Sequence, residues 1–362
     1  MRPLLLLIGA GRREFREYLL SSIRQQYRIH LFTASKPTWE LEYLDGHTVL
    51  DAHDVQAMVT VAREMQDSEP ISGVLCWEEA RVLPAGEVAR ALGLPGDPDA
   101  VARCAETHLT RQALAAAGVP QPRWARAATL PDALVEAGRI GYPVKAGEAK
   151  VETAEQLATL FDTNGNSSIL LEEFAAGEEI TVDVAVHSGE IFPLCLARKE
   201  IRFEHYVHAE DPLLHDPVLF RLLHDTHRAL GFYDSVTHTE IMMAPEGPKV
   251  MAVNGRLGGD VIPYLGLKAT GVDAGLAAAA VARGRAPHVE RDRKLVAAVR
   301  FFAGNAPVRF DGKGLPGAID RLEVLPGADL KGRIAFATAV AATAEECKAA
   351  LDAAEAALRT ND

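Results

Sequence analysis

Between His238 and Asp260 the chain reads HTEIMMAPEGPKVMAVNGRLGGD, an apolar stretch in which acids, an amide and a guanidinium recur at alternate positions. A turn at Pro245 to Pro248 divides it into two strands. Period two sets His238, Glu240 and Met242 on one face of the first strand. It sets Ala252, Asn254 and Arg256 on one face of the second. Where those faces coincide, a carboxylate and an amide oxygen meet beside an arginine. Oxygen ligands of this kind suit Mg²⁺, which keeps waters and takes one or two carboxylates plus substrate phosphates. Arg256 can offer bidentate contacts to a phosphate or carboxylate. Gly258 and Gly259 let backbone approach a ligand closely. His238 reads as a satisfied structural histidine rather than a base.

A second stretch, LLEEFAAGEEITVDV at 170–184, ends a buried run in acids and resumes it after a short connector. Acids in that position suit a purine nucleotide. Connector backbone can read the adenine edge, a carboxylate can accept from ribose hydroxyls, and Phe174 can cover the ring. The other histidines, His205, His208 and His215 among them, lack metal-site spacing and read as surface or loop residues.

The elements that must position these residues follow from periodicity. Residues 1–98 alternate buried strand and amphipathic helix, the pattern of a small open α/β sheet. Gly9-Ala10-Gly11 follows the first strand. It lacks a third glycine and a later acid at dinucleotide-motif offsets, and so reads as a glycine-permitted tight turn. Residues 99–172 hold a helix pair ended by Gly118, then GYPVKA, a capping-box pair at Thr153 and Gln156, and the strand SSILLEEF. Residues 173–362 alternate with period two, as an antiparallel sheet with helices does. Helices recur at PVLFRLLHDTHRALG and GLAAAAVARG, and the end reads strand, turn, strand and Ala-rich helix.

The chain has 362 residues, 48% of them hydrophobic, enough for two or three domains with sizeable cores. A net charge of -12 argues against a nucleic-acid binder working through a basic surface. The four cysteines make no CxxC pair, so reduced thiols are expected. The apolar run Leu4 to Ile8 is too short for a signal or membrane segment, so a cytoplasmic protein without membrane contact is expected.

GYPVK, LLEEFAAGEEITVDV and VNGRLGGDVIPYL, in that order, resemble the ATP-grasp superfamily. More narrowly they resemble its carboxylate–amine ligases that join amino acids. The resemblance spans nearly the whole chain. It implies a three-part architecture: an N-terminal open α/β sheet, a small lid domain and a C-terminal antiparallel α+β domain. It implies that Lys145 contacts ATP phosphates, that Glu172, Glu173 and Phe174 form the adenine-reading connector, and that Glu179 binds ribose. Glu240 and Asn254 match Mg²⁺ ligands. Arg256 matches the catalytic arginine that faces an acyl phosphate. Gly258, Gly259 and Asp260 would line the amino-acid site, and Arg198 and Lys199 would lie near phosphates or a substrate carboxylate. Substrates would be ATP, a small carboxylate and an amine, and a homodimer is an expectation by analogy.

Four positions depart from that pattern. Ala252 stands where a second metal-binding glutamate is usual. Glu106-Thr107 stands where Asp-Lys is usual, so one phosphate-facing lysine is missing. The segments after Lys145 and after Glu200 are short for the family's mobile loops, which points to a specialised member or to residues missing from the chain as written. The leading expectation is an ATP- and Mg²⁺-dependent ligase. An ATP-grasp enzyme with another nucleophile, such as a cyclase or carboxylase, and a nucleotide-binding pseudo-enzyme stay open.

Overall fold

The computed structural model describes residues 2–147, 149–163, 168–200, 203–304, 308–310, 314–329 and 331–360. The N-terminal part runs β1 (Leu4–Ile8), α1 (Arg13–Gln26), β2 (Arg28–Thr33), β3 (Gly46–Val49), α2 (Val55–Ser68), β4 (Ile71–Leu75) and α3 (Glu79–Ala91). Its four strands pair in parallel in the order β3-β2-β1-β4. All five β1 residues are buried, because helices or later elements cover both faces of a parallel sheet. Strand β3 escaped sequence reading: its residues GHTV alternate between half-buried and exposed at the sheet edge. The Gly9-Ala10-Gly11 turn has both glycines at positive φ, 69° and 78°. Glu78 fills it. The Gly11 N–H donates to Glu78 Oε1 at 3.0 Å, so the chain's own carboxylate occupies the backbone niche a phosphate would need.

Two short helices, α4 (Pro98–Ala105) and α5 (Thr107–Ala116), lead to a small sheet. This comprises β5 (Trp124–Ala127), α6 (Leu130–Ile140), β6 (Val144–Ala146), β7 (Ala149–Val151), α7 (Ala154–Thr163) and β8 (Ile169–Glu173). The strand order is β5-β8-β6-β7, all antiparallel. At α7, Thr153 Oγ1 accepts the Gln156 N–H at 3.3 Å. The Gln156 side chain accepts from Glu152 rather than from Thr153, so the expected capping box is displaced by one residue. A complete capping box forms instead between Thr343 and Glu346.

The C-terminal part contains β9 (Glu178–His187), β10 (Glu190–Glu200), β11 (Phe203–His208), α8 (Pro217–Leu230), β12 (Ser235–Ala244), β13 (Gly247–Asn254), α9 (Ile262–Thr270) and α10 (Ala274–Val281). After these come β14 (Val296–Ala303), β15 (Val308–Arg309), β16 (Ile319–Val324), β17 (Arg333–Ala341), α11 (Ala344–Ala357) and β18 (Arg359–Thr360). Eight strands form one antiparallel sheet in the order β13-β12-β9-β10-β11-β14-β17-β16. One face, with Ile180, Val182, Val184 and Ile241, packs on α8 residues Leu219, Leu222 and Leu223. Part of the other, with Cys195 and Ala197, packs on Val261, Ile262 and Leu265 at α9. Leu19, Leu20 and Ile23 of α1 join Ala277 and Ala278 of α10 in a shared core. Burial of each of those large side chains stabilises by roughly 1.5–3 kcal/mol, which fastens the first part to the third. Paired strands flank both short segments noted in the sequence, and residues 148, 201 and 202 lie outside the described residues. Ala146 pairs with Ala149, and Glu200 pairs with Phe203, leaving two residues between partners in each case.

Candidate active site

A cleft of about 650 Å³ lies between the small sheet and the β12–β13 hairpin. Lys145, Glu172 and Arg126 reach it from the small sheet. Glu240, Ala252 and Asn254 reach it from the hairpin, and Glu106 to His108 close it from the α4–α5 junction. The small sheet sets its residues by register: Arg126 pairs with Leu170 and Lys145 with Glu172, so all four side chains share one face.

The hairpin owes its arrangement to a β-bulge. Glu240 pairs with Ala252 and Ile241 with Val250, so Met251 is an extra residue. The bulge turns two successive carbonyls the same way, which a regular strand cannot do. Both accept from Arg111 of α5: Nη1 donates to Val250 O at 2.9 Å and Nη2 to Met251 O at 2.5 Å. Arg111 is 1% exposed. Its Nε donates to Glu172 Oε1 at 2.6 Å. Glu172 therefore lines the cleft with its charge matched from behind, and Arg111 ties small sheet, helix and hairpin together. Sequence reading missed Arg111. Only its burial was legible, since Arg111 and Leu114, three apart, lie on the buried side of α5; its partners, remote in sequence, were not.

Glu173 and Phe174 turn away from the cleft. The Glu173 carboxylate accepts from the Arg123 N–H at 3.0 Å and from Lys249 Nζ at 3.1 Å. Burial raises its pKa, but these partners outweigh burial and hold it below the ordinary carboxylate value. Phe174 is exposed, with Lys150 Nζ 5.0 Å from its ring centre. The connector thus presents backbone rather than the Glu173 side chain.

The large sheet separates Arg198 from Lys199. Glu240 pairs with Thr181 and Met242 with Glu179, so Glu179 shares the Glu240 face. Lys199 Nζ lies 3.2 Å from Glu179 on that face. Arg198 pairs with Ile180 on the opposite face, where it forms a fork with Asp211, Nη2 to Oδ1 at 2.9 Å, and meets Glu178 at 2.6 Å. The expectation that Arg198 lies near phosphates or a substrate carboxylate is corrected: successive strand residues point to opposite faces, and Arg198 is used structurally.

The loop after β13 is held from two sides. Asp183, fully buried on β9, accepts from His238 Nδ1 at 2.7 Å and from the Gly258 N–H at 3.0 Å. Arg16 of α1 donates both terminal nitrogens to the Gly258 carbonyl at 3.2 Å. A Cβ at Gly258 would lie 2.9 Å from Asp183 Oδ1 and from His238 Nδ1, whereas one at Gly259 meets nothing within 4 Å. Arg256 donates through Nε to Glu79 at the start of α3, and through Nη1 to Leu257 O at 2.9 Å. Asp260, at φ 49°, is gripped by Arg333 at 2.7 and 3.0 Å. Burial pushes its pKa up, but Arg333 reverses that and holds the carboxyl below its ordinary value. Asp260 is therefore committed to Arg333, whose guanidinium lies 3.8 Å from the Phe301 ring centre.

His205 is not the surface histidine the sequence led us to expect. It lies on β11, 9% exposed, and burial pushes its pKa down to about 4. His238 is held by Asp183, in line with a structural role.

The donor set facing the cleft on the hairpin is one carboxylate, Glu240, and one amide, Asn254. That set fits one Mg²⁺ sharing its shell with waters and phosphates. Ala252, directly opposite Glu240, adds no oxygen for a second ion. Among the described residues no group of three or more His, Cys, Asp or Glu side chains could hold a metal. Nor is any helix among them long and apolar enough to cross a membrane.

No protein-family model matches the chain. A curated relative, the uncharacterized protein y4rH of Sinorhizobium fredii, is 26% identical over 383 residues, covering 96% of this chain and 77% of that one. Solved structures match over almost the full length. Phosphoribosylglycinamide synthetase of Anaerococcus prevotii aligns with a TM-score of 0.81 at 14% identity, covering 100% of both chains. The L-amino acid ligase of Bacillus licheniformis gives 0.78 at 19%, covering 99% of this chain and 98% of that one. N5-carboxyaminoimidazole synthetase of Staphylococcus aureus, complexed with ADP, gives 0.77 at 12% and covers 98% of each. The parallel N-terminal sheet, small antiparallel sheet and large antiparallel sheet, in this order and at this length, are the ATP-grasp fold.

Proposed function

We propose that the protein is an ATP- and Mg²⁺-dependent carboxylate–amine ligase that activates a small carboxylate, an amino acid in the leading case, and joins it to an amine. The observation that carries this reading is the convergence of Lys145, Glu172, Glu240 and Asn254, from four separate strands and two sheets, on one cleft. Lys145 supplies positive charge for phosphates. Glu172, fixed by Arg111, marks the strand end from which the 173–175 backbone would read a purine edge. Glu179, on the Glu240 face and beside Lys199, would accept from a ribose hydroxyl. Glu240 and Asn254 would hold Mg²⁺, which when bound draws charge from phosphate oxygens. Arg256 would face the activated carboxylate and stabilise charge on it. Gly258 and Gly259 would let backbone approach the amino acid, while Asp260 shapes that loop through Arg333.

ADP and phosphate release, with Mg²⁺ and amino acids supplied in pairs, tests the proposal. Turnover that needs two amino acids supports it. Turnover with one alone points to another acceptor or to cyclisation. Tight ATP binding with no turnover favours the second reading, a nucleotide-binding pseudo-enzyme, for which Ala252 and Thr107 speak.

A further inference from the structure

We propose that Arg126, on the inner face of the small sheet, is the second cation that holds the nucleotide's phosphates and so supplies the charge Thr107 lacks. This deepens the proposed function and rests on it. A polyphosphate entering the cleft meets the Glu106 and Glu240 carboxylates and needs compensating positive charge. Most cations near the cleft are already committed. Arg111 is consumed by Glu172 and two carbonyls. Lys249 is held by Glu173 and Glu246, Lys199 by Glu179, and Arg256 by Glu79.

Arg126 differs. It lines the same cleft as Thr107 and Lys145. Among the described residues no carboxylate pairs with it. Its single side-chain hydrogen bond there runs from Nη2 to Ser168 Oγ at 3.1 Å, which orients the guanidinium without neutralising it. Strand β8 lies between β5 and β6, so Arg126 and Lys145 flank Leu170 and Glu172 on one face. A planar guanidinium so placed matches phosphate oxygens in a fork.

The test is calorimetric binding of ATP, ADP and adenosine, with Mg²⁺, to wild type, Arg126→Met and Arg126→Met/Thr107→Lys. Arg126 is exposed on a short strand, so the substitution leaves the core intact. The expected result is a loss of roughly tenfold or more in ATP and ADP affinity, unchanged adenosine affinity, and recovery of ATP affinity in the double variant. Unchanged ATP affinity, or an equal loss for adenosine, overturns the assignment. A phosphate-specific loss that Thr107→Lys does not repair overturns the claim that the two positions serve the same phosphates. Wild type that binds none of the three defeats the nucleotide reading itself, and this inference with it.

Discussion

Glu240 and Ala252 stand directly opposite each other across β12 and β13, on the face that lines the cleft. Paired strand residues hold their Cβ atoms roughly 5 Å apart, a separation two carboxylates can bridge through one or two cations. Ala252→Glu is therefore expected to raise Mg²⁺ affinity about tenfold or more, read by Mg²⁺ titration of the nucleotide-bound protein. An unchanged affinity would show that the paired register does not define the metal site.

In this structure Arg256 is tied to Glu79 at the start of α3 and to the Leu257 carbonyl. If its work is to stabilise charge on the activated carboxylate, Arg256→Ala should lower turnover about a hundredfold or more, with ATP affinity altered only a few-fold. Comparable losses in both quantities contradict that role.

Much of this was legible in the chain. Alternation alone set Glu240, Asn254 and Ala252 on one face, and the bulge at Met251 did not upset it because it lies before Ala252. Alternation equally separates Arg198 from Lys199. The mistake was to assign both to one site by proximity in sequence. Arg111, Arg126, Arg333 and Arg16 were not legible as site residues. Each meets its partner across a long sequence gap: Arg111 with Met251, Arg16 with Gly258, Arg333 with Asp260, Arg126 with Ser168. Local pattern carries no record of such pairings. His205 was misjudged for the same reason, since its burial comes from strands and loops remote in sequence.

Arg111 makes a stability prediction. Arg111→Met removes the cation from behind a Glu172 side chain that is mostly buried, and frees two carbonyls. Breaking a buried pair by removing one partner costs about 3–5 kcal/mol. Urea unfolding should show a loss of that order. Glu172→Gln added to Arg111→Met should recover part of it, because the uncompensated charge is then gone. No recovery would place the cost in the carbonyls rather than the ion pair.

Acid should weaken the fold before carboxylates titrate. Burial pushes His205 and His227 down to about 4 from an ordinary 6.5. His227 Nδ1 lies 2.6 Å from the Leu223 carbonyl and Nε2 2.7 Å from the Thr237 hydroxyl, an arrangement that suits the neutral ring. Between those pH values the unfolded chain binds protons that the folded chain refuses. Stability is thus fully present above about pH 6.5 and lost as pH falls toward 4, on the order of 2 kcal/mol per ring at pH 5. Urea midpoints at pH 7 and pH 5 check this, and His227→Gln should reduce the difference. A midpoint that does not fall at pH 5 would mean these rings are not held neutral.

Gly258 offers the sharpest test of how the two ends of the chain build one site. Its N–H is held by Asp183 and its carbonyl by Arg16, two residues after Arg256. A methyl at this position must push into Asp183 Oδ1 and His238 Nδ1, both 2.9 Å away, whereas Gly259→Ala meets open space. Displacement of a catalytic group by about 1 Å can cost a hundredfold in rate. Gly258→Ala should lower turnover on that scale, with nucleotide affinity largely kept, and Gly259→Ala, which crowds the proposed amino-acid side of the loop but not Asp183, should lose clearly less. Arg16→Ala should follow Gly258→Ala in direction, since it releases the other side of the same peptide. If Gly259→Ala loses as much as Gly258→Ala, crowding of the ligand rather than the Asp183 grip governs the loop.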